Sequence, residues 1–146
     1  MMKRPSFHLA FPSHDFDKAK KFYVEGLGCK LGRSSSNALI FNLSGHQIVA
    51  QKVKVKPFRQ KGIYPRHYGL IFYSLSEWKK LLKRAQEKKL KFYQDAKHRY
   101  AKTPLEHRTF FIEDPSHNLL EFKHYTRPSA IFGKKEIHKV GNENRK

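Results

Sequence analysis

The sequence has one cysteine, few acidic residues and no long apolar run. Because Cys29 is the single cysteine among 146 residues, the chain can form neither an internal disulfide nor a cysteine-rich zinc site. No segment approaches the roughly 18 consecutive apolar residues that a membrane-spanning helix needs. The apolar run after the basic N-terminus is too short for a signal peptide. We therefore expect a protein of the reducing cytoplasm that does not enter a membrane.

Acidic residues are outnumbered by basic ones. The 31 Lys and Arg residues against 12 Asp and Glu residues give a formal net charge of +19. Such an excess of positive charge makes nucleic acids, anionic membranes and anionic small molecules candidate partners. However, the lysines are interleaved with helix-core positions, and no helix-turn-helix, zinc-finger or aromatic RNA-binding motif accompanies them. We interpret most of the charge as a solvated surface and do not favour nucleic acid as the partner.

A faint internal repeat organises the chain. The segment HLAFPSHDFDKAKKFY, which starts at His8, aligns without a gap with HYGLIFYSLSEWKKLL, which starts at His67. In each copy, large residues alternate with small or polar ones, which predicts a half-buried strand. Apolar residues at helical spacing follow and predict a helix. The repeat therefore predicts two modules of related structure.

Short strands are predicted after each helix. They lie at residues 30–33, 38–43 and 47–55 in the first copy, and at 90–94, 107–113 and 118–125 in the second. Asp15 is the predicted N-cap of the first helix, and Ser74 with Glu77 forms a predicted capping box on the second. The pattern predicts an α+β fold of two βαβββ modules.

We expect the two modules to form one domain over residues 5–126. Module one spans about 5–56 and module two about 66–126, and residues 57–65 link them. Residues 127–146 are polar, basic and short of apolar side chains, which is typical of a loose tail.

Three potential metal ligands occupy matching places on the predicted strands. His8 and His67 coincide in the repeat, and the large apolar neighbours on each strand must cover the helix. Both imidazoles therefore point to the opposite, concave face. Glu121 does the same on the last strand, because Leu120 and Phe122 face the helix. Two imidazoles and one carboxylate can hold a divalent metal ion and leave coordination positions open.

An ordinary structural role is the alternative for each of these residues. A single histidine on a strand is more often a hydrogen-bonded core or surface residue than a metal ligand. A carboxylate between apolar neighbours is costly to bury without a partner, and a metal ion is one of several ways to provide one. Sequence geometry alone leaves both interpretations open.

The same segments resemble the vicinal oxygen chelate superfamily, which includes glyoxalase I, fosfomycin and bleomycin resistance proteins, and extradiol dioxygenases. The opening HLAFPSHDFDKAKKFYVEGLGCKLGRS is similar to that of bacterial glyoxalase/dioxygenase-like members, and SGHQIVAQ and RHYGLIF resemble later motifs. FFIEDPSHNLLEF resembles the DP-x-x-N-x-x-E-F ending that recurs in the superfamily. The resemblance extends from about Phe7 to Tyr125.

The resemblance implies one barrel-like cleft between the modules, with a divalent metal ion held by His8, His67 and Glu121. It places Gln51 at the fourth position of the cleft, where glyoxalase I has a carboxylate and other relatives a histidine. A glyoxalase I mechanism needs a base, and an amide is not one at neutral pH. The resemblance therefore favours Fe(II) and a dioxygenase-like reaction on a diol, enediol or catechol-like substrate. Mn, Ni, Co and Zn suit the same ligands.

Four further side chains are expected to border the cleft, namely His98, Arg99, Tyr100 and His107. A second acid or base would come from this set, and Arg99 would suit an anionic substrate. The alternative for each is an exposed loop residue without a role in the site.

Three classes of function remain open on the sequence. The first is a metal-dependent oxidoreductase of the dioxygenase type, with a glyoxalase I-like lyase or isomerase less favoured. The second is a resistance protein that binds a small molecule without turnover. The third is a basic nucleic-acid-associated protein that has kept only the fold. Fold alone does not choose among them. The resemblance leaves a homodimer open, because members of the family often pair, but the sequence itself does not determine the oligomeric state.

Overall fold

Two four-stranded sheets, one from each module, form the framework. The structure is a computed structural model that describes residues 2–133. Module one contains β1 (His8–Ser13), α1 (Phe16–Lys20), β2 (Lys30–Ser34), β3 (Ala38–Leu43) and β4 (His46–Lys52). Module two contains β5 (Tyr68–Phe72), α2 (Leu75–Glu87), β6 (Phe92–Arg99), β7 (His107–Glu113) and β8 (Leu119–Tyr125). A π-helical turn (Lys21–Gly26) continues α1, and a 3-10 turn (Pro128–Ala130) follows β8.

Both sheets have the same topology. Their strand orders are β1-β4-β3-β2 and β5-β8-β7-β6. In each sheet the first strand pairs in parallel with the last, and the other pairs are antiparallel. This repetition confirms the α+β fold of two βαβββ modules. Within the described residues the two sheets stay separate and do not close into a barrel.

The helices begin where the sequence predicts. The side chain of Asp15 accepts a hydrogen bond from the backbone N–H of Lys18, 3.0 Å away. The side chain of Ser74 accepts one from the backbone N–H of Glu77 at 3.3 Å, so the N-cap half of the predicted capping box is present. Gly28 follows the π-helical turn with a φ of 80°, a conformation that glycine adopts without strain.

One hydrophobic core joins the modules. It contains Phe11 and Phe41 from module one and Phe110 and Phe122 from module two, each at most 4% exposed. The rings of Phe11 and Tyr68 stack across the boundary with centroids 5.6 Å apart. We call the sheet face that carries these residues the inner face. Because side chains alternate along a strand, their neighbours lie on the opposite face, which we call the outer face.

A buried polar network also ties the modules together. The hydroxyl of Tyr23 donates a hydrogen bond to Oδ2 of Asp114 (2.7 Å) and lies 2.7 Å from the hydroxyl of Tyr68. Nδ2 of Asn118 donates to the same Asp114 oxygen (2.8 Å) and to the carbonyl oxygen of Pro12 (2.9 Å). The Asp and Asn of the DPSHN turn therefore bridge to β1 and to the π-helical turn.

A second buried carboxylate fixes the segment between the modules. The Glu113 side chain is 1% exposed and lies 3.0 Å from Nε of Arg59 in that segment and 3.3 Å from Nζ of Lys91. It also pairs with Nδ1 of His117. Burial alone would raise the pKa of Glu113, but hydrogen bonds from His117 and Lys91 and nearby positive charge outweigh it and lower that pKa.

The largest departures from the predicted strands occur in β4 and β6. β4 ends at Lys52, three residues before the predicted end, and β6 runs from Phe92 to Arg99 instead of over 90–94. The β6–β7 register shifts twice between Phe92 and Lys97, so the alternation on which the strand prediction depends is interrupted there.

No described helix is long and apolar enough to cross a membrane. Most of the predicted tail lies outside the described residues.

Candidate functional site

The outer face of the module-two sheet carries the most concentrated set of chemically active side chains. β8 presents Glu121, Lys123 and Tyr125 to this face, because the alternating residues Leu120, Phe122 and His124 are buried on the inner side. Cross-strand partners on β7 are, in order, Phe111, Thr109 and His107. The register therefore places acidic, basic, hydroxyl and imidazole groups on one surface.

His67 and Glu121 meet at this surface, as the alternation predicts. Nε2 of His67 lies 3.2 Å from Oε1 of Glu121. Nδ1 of His67 donates a hydrogen bond to the carbonyl oxygen of Ile63 (2.7 Å), which fixes the ring with Nε2 toward the carboxylate. The hydroxyl of Thr109 donates to the other carboxylate oxygen, Oε2, at 2.6 Å. Each member of the pair is thus oriented by a hydrogen bond of its own.

The electrostatics of the pair favour charge on both members. The hydrogen bond to Glu121 raises the pKa of His67 more than burial lowers it. Burial would raise the pKa of Glu121, but the hydrogen bond from His67 and the positive charge of Lys123 hold it below its ordinary value. A divalent cation would take the place of the proton on Nε2, since imidazole binds metals in its neutral form.

Gly69 allows the strands that carry the pair to approach each other. It lies on β5 opposite Glu121, and a Cβ atom built there would collide with the backbone oxygen of Glu121. Any larger residue would therefore push β5 away from β8 and separate His67 from its carboxylate partner. The glycine serves this close approach of two backbones.

His8 lies on the outer face of the other sheet. Its Nδ1 donates to Oε1 of Gln47 at 2.7 Å, on the adjacent strand, and its side chain is exposed. The inner faces of both sheets contribute to one core, and His8 and Glu121 lie on the outer faces of different sheets. Accordingly, residues 2–133 contain no cluster of three or more His, Cys, Asp or Glu residues that could hold a metal ion. One chain brings His67 and Glu121 together and leaves His8 apart.

The strand register corrects the proposed equivalence of Gln51 and Glu121. Glu121 pairs with Gly69, and the corresponding pair in module one is Ala10 with Val49. Gln51 instead pairs with Pro12, which is four residues, or roughly 13 Å, along β1 from His8. The repeat aligns the first strands but not the last ones, because the chain between them differs in length in the two modules.

Three of the four residues expected to border the site cluster together. Arg99 lies opposite His107 in the β6–β7 pair, and the Tyr100 ring lies 5.8 Å from the His107 ring. Nδ1 of His107 donates to the carbonyl oxygen of Leu105 (2.8 Å), and burial lowers the pKa of His107. His98 is the exception. It pairs with Arg108 on the opposite sheet face, where its Nε2 lies 2.8 Å from Glu106.

Sequence reasoning missed Lys123, Thr109 and Tyr125. Lys123 follows Glu121 by two residues, so strand alternation alone would have placed it on the same face. Its Nζ lies 3.7 Å from Oε1 of Glu121 and 3.3 Å from the hydroxyl of Tyr125. Thr109 carried no comparable signal, because only the β7–β8 register places it beside the carboxylate.

Comparison with known protein families shows which superfamily the chain resembles. The model of the Glyoxalase/Bleomycin resistance protein/Dioxygenase superfamily matches residues 6–122. The chain belongs to this superfamily. Membership confirms the resemblance to the vicinal oxygen chelate proteins. A comparison with curated proteins found no match.

Several solved structures have the same fold as this chain. A glyoxalase/bleomycin resistance protein/dioxygenase from Alicyclobacillus acidocaldarius is 38% identical with a TM-score of 0.82, over 87% of this chain and 96% of that one. Fosfomycin resistance protein FosX from Listeria monocytogenes (16% identity, TM-score 0.68, 88% and 99% coverage) shares the fold. So does a lactoylglutathione lyase from Agrobacterium tumefaciens (14% identity, TM-score 0.62, 84% and 95% coverage).

Proposed function

We propose that the protein is a metal-dependent, dioxygenase-like enzyme for small vicinal-oxygen substrates, and that its metal site is assembled between two copies of the chain. His67 and Glu121 of one copy would supply two ligands, and His8 of a second copy the third. The observation that carries the proposal is the preformed His67–Glu121 pair, 3.2 Å apart on an outer face. Fe(II) suits the reaction best, and Mn, Ni, Co and Zn suit the same ligands.

The histidines fit a metal ion in their hydrogen bonding. In both His8 and His67, Nδ1 donates to an amide or peptide oxygen, which leaves Nε2 as the ligating atom. Thr109 holds Oε2 of Glu121 and leaves Oε1 for the ion. A divalent ion held by these groups would supply Lewis-acid chemistry and, in the case of Fe(II), redox chemistry.

Assembly between two copies would unite ligands that the described part of one chain leaves apart on different sheets. A twofold axis that brings the outer face of module one against that of module two creates the contact twice, so one dimer would hold two identical sites. Ile71, which is 38% exposed on the outer face of module two, would be covered by such a contact. Members of the superfamily are typically dimeric and bind small molecules.

The chain's own residues favour an oxygenase over a glyoxalase I-like isomerase. Val49 occupies the module-one position that matches Glu121, so a second carboxylate base is missing at that position. His107 is the candidate proton acceptor instead. Burial lowers its pKa and keeps the ring neutral near pH 7, and with Nδ1 bonded to Leu105 its Nε2 can accept a proton from a substrate hydroxyl.

A subunit-mixing experiment tests the shared site. His8→Ala and His67→Ala chains would be co-expressed with two different tags that do not bind metal, and the mixed dimer isolated by sequential affinity steps. After anaerobic Fe(II) or Mn(II) loading, elemental mass spectrometry should find about one ion per mixed dimer and none in either homodimer. His98→Ala, on the opposite face of the module-two sheet, is the matched control and should keep two ions per dimer.

The outcomes separate the parts of the proposal. An empty mixed dimer, or a His8→Ala homodimer that keeps its metal, would contradict the shared site. Loaded wild type would then be screened for dioxygen consumption with catechols and enediols, and His107→Gln should slow uptake without changing metal content. Tight ligand binding without dioxygen consumption would instead support a sequestering protein.

A further inference from the structure

Lys123 is a charged residue of the candidate site to which the proposed metal site gives no role. It follows Glu121 by two residues on β8, and its side chain is only 27% exposed. Its ammonium lies 3.7 Å from Oε1 of Glu121, the same oxygen that lies 3.2 Å from His67. The free site therefore holds one carboxylate oxygen close to both an imidazole and an ammonium group.

A metal ion on Glu121 would change the surroundings of Lys123. In the described part of the chain, Glu121 is the carboxylate with which Lys123 pairs. An ion that takes Oε1 removes this partner and places two positive charges near the ammonium. A partly buried ammonium that loses its counter-charge is destabilised. Metal binding alone would therefore be opposed by Lys123.

Other groups on the same face add to the positive charge. Lys97 on β6 lies opposite Thr109, and Arg99 lies opposite His107, so both project toward the outer face with Lys123. The Tyr125 hydroxyl, 3.3 Å from the Lys123 ammonium, adds a polar group that can donate to an anion. The arrangement is suited to an oxyanion next to the metal ligands.

We propose that the substrate carries a carboxylate, phosphonate or phosphate group, and that Lys123 binds this group when a metal ion occupies Glu121. The inference rests on the proposed metal site and assigns Lys123 as a specificity-determining residue. Because the anion replaces the counter-charge that the metal removes, each ligand strengthens the binding of the other. This coupling is reciprocal by thermodynamic linkage.

The coupling can be measured without turnover. Isothermal titration of Mn(II) would be carried out with the wild type and with Lys123→Met, with and without methylphosphonate at constant ionic strength, after correction for Mn(II)–anion association in solution. For the wild type, methylphosphonate should lower the Mn(II) Kd about fivefold or more. Lys123→Met should bind Mn(II) at least as tightly as the wild type without the anion, and the anion should have no effect on it. Lys79→Met, on the exposed side of α2, is the matched control and should behave like the wild type.

The possible results distinguish the two proposals. If the wild type binds no Mn(II) under any condition, both the metal site and the role of Lys123 are wrong. If Mn(II) binds but the anion effect is absent, or persists in Lys123→Met because the anion ligates the metal directly, the metal site stands and the role of Lys123 is overturned.

Discussion

Replacement of Tyr23 by Phe tests whether the buried polar network holds the modules together. Tyr23 is fully buried, and its hydroxyl donates to Asp114 and lies within hydrogen-bond distance of Tyr68. Tyr23→Phe keeps the ring in the core and removes a hydrogen bond to a buried carboxylate. Hydrogen bonds to charged groups contribute about 1.5–3 kcal/mol, so we expect a loss of that size in the free energy of unfolding. In a chain of 146 residues this corresponds to a fall in Tm of about 3–12 °C.

The pH dependence of this loss gives a second readout. Burial raises the pKa of Asp114, and the Tyr23 hydroxyl partly opposes that rise. A raised pKa in the folded state means that stability is lost as the pH rises through it. Without the hydroxyl the pKa of Asp114 rises further, so the difference in stability between wild type and Tyr23→Phe should be larger at pH 7 than near pH 4.

Urea denaturation at both pH values, followed by tryptophan fluorescence, measures the effect. Tyr73→Phe is the matched control, because Tyr73 is 72% exposed and its change should stay within about 0.5 kcal/mol. A Tyr23→Phe protein as stable as this control at pH 7, or one whose loss grows on acidification, would refute the role assigned to the network.

Three further changes test other parts of the structure. Glu113→Gln should lower the free energy of unfolding, measured by urea denaturation at pH 7, by about 1.5–3 kcal/mol. Because the pKa of Glu113 is lowered in the folded state, this loss should shrink as the pH falls below the unfolded pKa of about 4.3, and an undiminished loss would contradict the assigned role. Gly69→Ala should cost about 1–3 kcal/mol in the same assay, whereas Gly62→Ala, whose nearest atom would be 4.0 Å away, should cost little. Thr109→Val should weaken Mn(II) binding about 10–100-fold by titration calorimetry while the protein stays folded; unchanged affinity would show that Glu121 needs no such support.

Much of the fold follows from local patterns in the sequence. The repeat that starts at His8 and His67, the alternation along the first strands and the capping residues of both helices predicted two βαβββ modules, and the structure has them. Alternation also placed His67 and Glu121 on one face, because the side-chain period of a strand is a property of the backbone itself. β6 was predicted poorly because its two register shifts break that period.

The tertiary structure decided which of these residues meet. Strand pairing depends on contacts between distant segments and on loop length, so register is not encoded in the alternation of any one strand. For this reason the sequence determined that His8 points away from the core, but only the tertiary structure shows that, within the described residues, it forms no cluster of metal ligands with His67 and Glu121. For the same reason, only the pairing of β1 with β4 and of β5 with β8 matches Val49 with Glu121, and only the β7–β8 pairing sets Thr109 beside the carboxylate.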